Sequence, residues 1–195
     1  MKRPIFAALV AAAGLLTATV SQATIFTYFG KLTGATESPP VVTAGTGTTS
    51  VTYNDVTHTI TTTATFSGLT GTTTASHIHC CTTNPFAGNA TVATEVPTFT
   101  AFPLGVTAGS FTEILNLTLL SSFNPVFVTA NGGTAASAEA ALAAGLGSGR
   151  AYLNIHTSFV GSGEIRGLLV PEPGSIALLG LAMVSLVAFQ RRRVA

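Results

Sequence analysis

Three histidines carry the spacing of coordination chemistry. His77 and His79 stand two apart in residues 75–81, a stretch that reads as a short strand. Side chains at i and i+2 share one face of a strand. His156 lies in a second strand, residues 151–157, on one face with Tyr152 and Asn154. Two imidazoles from one strand and a third from a neighbour supply a three-nitrogen site suited to copper or zinc. The same rings could instead hydrogen-bond across strands as a structural seam, or line a ligand site without metal. Residue types alone leave these three readings open, and no cofactor is established by them.

The elements that must position these side chains read as follows. Residues 151–157 and 163–169 form a hairpin around Val160-Gly161-Ser162. Glu164, Arg166 and Leu168 share a face of its second strand. If His156 pairs near Glu164, then Asn154 falls near Arg166, and contacts from Glu164 to His156 or Arg166 follow. Residues 25–32 read as a first strand, and residues 48–53 and 56–66 as a hairpin turning at Asn54-Asp55. The alternation in the latter is regular. Val56, His58, Ile60, Thr62, Ala64 and Phe66 form one face, expected to be the core, with His58 a satisfied, partly buried side chain. Threonines form the other face. Residues 111–119 alternate again, and residues 121–133 read as irregular. Thr134 is placed to cap a helix over residues 135–146. Short strands, polar turns and one short helix insert predict an all-β fold, an antiparallel sandwich or Greek-key barrel.

Both ends of the chain read as addresses. Residues 1–23 have a basic start at Lys2 and Arg3, an apolar stretch over 5–20, and Ser21-Gln22-Ala23 as a small-residue cleavage site. This predicts a secretory signal removed by signal peptidase. At the other end, Pro171-Glu172-Pro173 precedes an apolar run over 176–189 and the cluster Arg191-Arg192-Arg193. Fourteen residues make about 21 Å of helix, short for a permanent span, and the arginines belong on the cytoplasmic side. Residues 24–170 remain as one domain. It keeps Lys31, Arg150 and Arg166 against Glu37, Asp55, Glu95, Glu113, Glu139 and Glu164, a net charge of −3. That leaves no basic patch for nucleic acid.

Cys80 and Cys81 are the two cysteines of the chain. In a continuing strand Cys81 joins the face of His77 and His79, while Ile78 and Cys80 point the other way. Export favours a disulfide, although a regular strand holds adjacent side chains on opposite faces. A vicinal disulfide at a strand end, Cys81 as a soft metal ligand, and two free thiols are the three readings. There is no G-x-S-x-G elbow, phosphate loop or supported carboxylate pair, so the expectation is a non-enzymatic protein.

Two family resemblances add to this. Pro171-Glu172-Pro173, the apolar run and Arg191–Arg193 resemble the PEP-CTERM sorting signal. That resemblance implies recognition by an exosortase, transient anchoring in the inner membrane of a Gram-negative bacterium, and delivery to the cell surface or extracellular matrix. Residues 24–170 resemble the CHRD domain in four segments: LTGATESPP at 32–40, Phe66-Ser67-Gly68-Leu69, His77-Ile78-His79, and AYLNIHTSFVGSGEIRGL at 151–168. Cys80-Cys81 departs from the small residues usual after the histidines. The family implies an immunoglobulin-like or superoxide-dismutase-like sandwich and no known reaction. The His-x-His strand is also similar to the copper-binding pair of copper–zinc superoxide dismutase. An exported matrix protein, associated by adhesion with exopolysaccharide through its threonine face, is the first functional expectation. A copper- or zinc-binding domain is the second.

Overall fold

The computed structural model describes residues 24–172. The signal read in residues 1–23, and Pro173 with Arg191–Arg193, lie outside them.

The fold is one curled antiparallel sheet, an open half-barrel closed by loops and helices. Its strands are β1 (Ile25–Thr33), β2 (Thr46–Asn54), β3 (Thr59–Ser67), β4 (Thr73–His79), β5 (Gly109–Asn116), β6 (Tyr152–Thr157), β7 (Ile165–Leu168) and β8 (Val170–Pro171). They run in the order β4-β6-β7-β1-β2-β3-β5, with β8 also on β1. This is the expected all-β architecture. Among the described residues two α-helices pack on it, α1 (Pro125–Ala130) and α2 (Ala135–Gly147).

Alternation builds the core as read. Ile60, Thr62, Ala64 and Phe66 of β3 are buried, while Thr61, Thr63 and Thr65 face outward. Ile60, Ala64 and Phe66 pack with Leu32, Val51, Leu153, Ile155 and Ile165, and with Leu142 and Leu146 of α2. Thr134 caps α2, accepting from Ser137 N while Ser137 reaches back to the cap, a reciprocal arrangement that satisfies two orphan donors.

Two local readings are corrected. β3 begins at Thr59, because Asn54 Oδ1 accepts from both Val56 N and Thr57 N at 3.0 Å. That side-chain turn competes with the ladder, so Val56 is exposed and His58 sits in the turn at φ 52°. His58 is half exposed, with Nδ1 2.9 Å from the buried Glu139 of α2. In the stretch read as irregular, Asn124 caps α1 by accepting from Val126 N, and Pro125 opens it, a combination whose missing N–H costs a helix nothing.

The segment joining β4 to β5 does the work of two further elements. It runs along the free edge of β4, where Ala93 N donates to Ile78 O at 2.9 Å and Phe99 N to Ser76 O at 3.1 Å. Thr94 and Thr98 hydroxyls accept from Ile78 N and Ser76 N. It then drops Phe99 and Phe102 against Phe111 and Phe66, with ring centroids 5.2–5.8 Å apart. The edge of β4 is thereby satisfied rather than open to pairing.

β4 ends at His79. Cys80 and Cys81 are joined as a disulfide, with Cys80 buried and Cys81 exposed. The pair lies under Gly145 of α2, where a Cβ would collide with both sulfurs. Gly145→Ala is expected to destabilise the domain by about 1–3 kcal/mol through overpacking, read as a lower urea midpoint with an unchanged m-value.

Candidate metal centre

The register places the histidines as their spacing suggests. β4 and β6 pair Ala75 with His156, His77 with Asn154, and His79 with Tyr152. β6 and β7 pair Asn154 with Arg166 and Tyr152 with Leu168. Leu153 and Ile155 turn to the core, so Tyr152, Asn154 and His156 share the opposite face with His77 and His79. Loops cover that face. All of β6 is buried, and His77, His79 and His156 are 6–8 % exposed.

Each ring is fixed by one backbone carbonyl. His77 Nε2 lies 2.7 Å from Pro97 O, His79 Nδ1 2.9 Å from Ala90 O, and His156 Nδ1 3.0 Å from Gly161 O. A carbonyl only accepts, so those nitrogens carry the protons and the tautomers follow. The remaining atoms, His77 Nδ1, His79 Nε2 and His156 Nε2, are lone pairs. One nitrogen from each ring lies within 4.8 Å of one from each of the others. His79 Nε2 and His156 Nε2 face each other at 3.4 Å, and His77 Nδ1 is buried with no partner among the described residues.

Two facing lone pairs repel unless a proton or a cation lies between them. Burial opposes the proton. It lowers His77 and His79 to about 4 against the nearby carbonyl bonds that pull the other way, and it lowers His156 as well. Two nitrogens about 2.05 Å from one tetrahedral zinc stand about 3.3 Å apart, which the His79–His156 separation matches. Holding the far ring N–H on a carbonyl is the usual support of a metal-ligating histidine.

Aromatic and charged side chains surround the rings. Tyr152 stacks on His79 with centroids 4.9 Å apart and planes 8° apart, and the Arg166 guanidinium lies 4.6 Å over Tyr152. Arg166, 1 % exposed, donates to Gly88 O and Asn89 Oδ1, and its Nε lies 3.1 Å from Glu37. Glu37 sits in the LTGATESPP segment; its partnership with Arg166 has no sequence signal beyond two charges that burial forces to pair. Burial pushes its carboxyl up to about 7, with Arg166 pulling it down.

Two expectations about this face do not hold. Glu164 contacts neither His156 nor Arg166. The ladder stops at Ile155–Ile165, Gly163 turns at φ 128°, and the carboxylate instead accepts from Thr43 Oγ1, Thr157 Oγ1, Thr70 N and Gly71 N. Burial raises its pKa, but these four donors outweigh that and hold it below the ordinary range. Cys81 does not join the histidines either. With Cys80 it is bonded beneath α2, its Sγ 3.6 Å from Ala141 O.

The family model for the CHRD domain matches residues 28–169, a span that takes in most of β1, His77, His79 and His156, and the final hairpin. The chain belongs to the CHRD domain family. The PEP-CTERM protein-sorting motif matches residues 169–193, so the CHRD domain and its sorting signal abut without a linker. Pro171 is still paired with Tyr28 of β1, and Glu172 N donates to Thr27 O at 2.9 Å. The protein is an exported one, sorted to the cell surface by exosortase-type machinery. No curated protein and no solved structure matches the chain.

Two outcomes follow. Glu164→Gln is expected to cost about 1–3 kcal/mol in urea unfolding by leaving loop donors unpaired, with no effect on metal uptake. Metal-free protein is expected to lose stability as pH falls from about 6.5 to about 4. In that window the unfolded imidazoles bind protons that folded His77, His79 and His156 refuse. Glu37, shifted upward, works in the opposite direction, but as one group against three. Urea midpoints at pH 7, 5.5 and 4 measure this, and the His77→Gln/His79→Gln variant should lose most of the dependence.

Proposed function

We propose that this exported CHRD protein is a binding protein, not an enzyme, and that it holds one copper or zinc ion on His77, His79 and His156. The observation that carries the reading is that three rings, each with one nitrogen committed to a backbone carbonyl, bring a nitrogen apiece within 4.8 Å of one another, His79 Nε2 facing His156 Nε2 at 3.4 Å. A seam of structural histidines would pair donors with acceptors. Here acceptors meet acceptors, an arrangement that a bound cation relieves. Neutral imidazole suits copper and zinc. The full chain, exported and purified without a histidine tag, is expected to carry about one copper or zinc per molecule by elemental analysis. His77→Ala/His79→Ala should abolish it. A wild-type protein that stays metal-free after incubation with either ion and desalting would refute the site.

A second reading concerns what the surface-displayed domain adheres to. The outer face of β2, β3 and β5 is a field of hydroxyls, with Thr48 beside Thr65 and Thr63 beside Thr112, each pair 3.1 Å apart. An uncharged, hydroxyl-rich face suits a neutral exopolysaccharide better than a charged partner. Both readings need the address. A stop codon at Ser175 is expected to abolish association with the matrix, measured by fractionating cells, medium and extracellular polymer; unchanged partitioning would contradict the sorting step.

A further inference from the structure

A fourth acceptor stands on the face that carries the three histidines. Asn154 lies opposite His77 on one side and Arg166 on the other, on the face it shares with Tyr152 and His156. It is 2 % exposed. Its Nδ2 donates to Ser162 O at 3.3 Å, which fixes the amide orientation and identifies Oδ1 as the free atom. That Oδ1 is buried with no partner among the described residues. The amide packs against Gly163, where it fills the place a Cβ would take, at a φ of 128° that only glycine adopts readily.

Most neighbouring donors are engaged elsewhere. Arg166 gives Nη1 to Gly88 and Nη2 to Asn89, its Nε lies 3.1 Å from Glu37 without a hydrogen bond, and the three histidine N–H groups go to Pro97, Ala90 and Gly161. A buried amide oxygen left this way costs about 1–3 kcal/mol, a cost that a bound water would relieve. Asn154 and His77 stand directly opposite in the antiparallel pair, where Cβ atoms are about 4.5–5.5 Å apart.

We propose that Asn154 Oδ1 accepts a hydrogen bond from a water bound as the fourth ligand of the ion, so that the centre has an exchangeable position open to small anions. The proposal rests on the metal reading above. Three protein ligands and a water make an open site, whereas a structural site closes with four protein ligands. Three neutral imidazoles leave a divalent ion its full charge, which favours an anion as the incoming group. The slight exposure of the rings admits only a small one.

Cobalt(II) in the full-length protein tests this, because its visible spectrum reports coordination without any assay of activity. Wild-type protein is expected to take up one cobalt, and azide titrated at neutral pH should change the spectrum to saturation. Azide replaces the water but has no hydrogen to offer Oδ1. Asn154→Leu, which holds the water less firmly, is therefore expected to bind azide roughly three- to tenfold tighter. Asn154→Asp, which keeps an acceptor and adds repulsion, should bind it more weakly, and this variant carries the comparison if Asn154→Leu does not fold. A cobalt-loaded wild type whose spectrum ignores saturating azide would show a closed centre and overturn the proposal while leaving the metal site standing. Equal azide affinity in wild type and the variants would remove Asn154 from it. A wild type that takes up no cobalt would overturn both.

Discussion

Three backbone carbonyls, those of Ala90, Pro97 and Gly161, govern the polar face of this domain. Each takes the only N–H of one neutral imidazole, and so each decides which nitrogen of that ring keeps its lone pair. The sheet brings the histidines together, but the loops choose their tautomers. Because burial withholds the extra proton, the rings cannot pair with one another, and the face acquires a concentration of lone pairs. The covering of β6 on both sides, the stacked Tyr152 and the guanidinium above it all serve to hold that face closed.

The fold explains how a sheet face can be buried without becoming apolar. An antiparallel sheet normally leaves one face to water. Here the segment between β4 and β5 pays for its own burial by pairing with the β4 edge and planting Phe99 and Phe102 in the core. The same segment carries Ala90 and Pro97 to the histidines. Glu164 ties the other side, gathering Thr43, Thr70, Gly71 and Thr157 into one knot. Core and site are thus stabilised by the same loops, and damage to the loops should reach both.

Much of this was legible in the chain, and the limit has a physical cause. Period-two alternation in β3, the Thr134 cap of α2, and the i, i+2 spacing of His77 and His79 are local rules, and local rules are written in local sequence. The pairing of Asn154 with Arg166 followed from the hairpin. Glu164 did not follow, because glycine at 163 breaks the ladder one residue before the pair would form. Glu37 escaped notice because its partner lies far along the chain and the segment holding it has no period. The carbonyls of Ala90, Pro97 and Gly161 belong to irregular loops, and a backbone carbonyl has no sequence signature at all. Yet without them the histidine spacing fits a seam as well as it fits a metal.

The central claim is that this face gathers lone pairs for one cation. X-ray absorption at the zinc edge of the zinc-loaded full-length protein tests it most directly. The account predicts three imidazole nitrogens at about 2.0–2.1 Å with one additional light atom. A sulfur scatterer near about 2.3 Å, or fewer than three imidazoles, would contradict it.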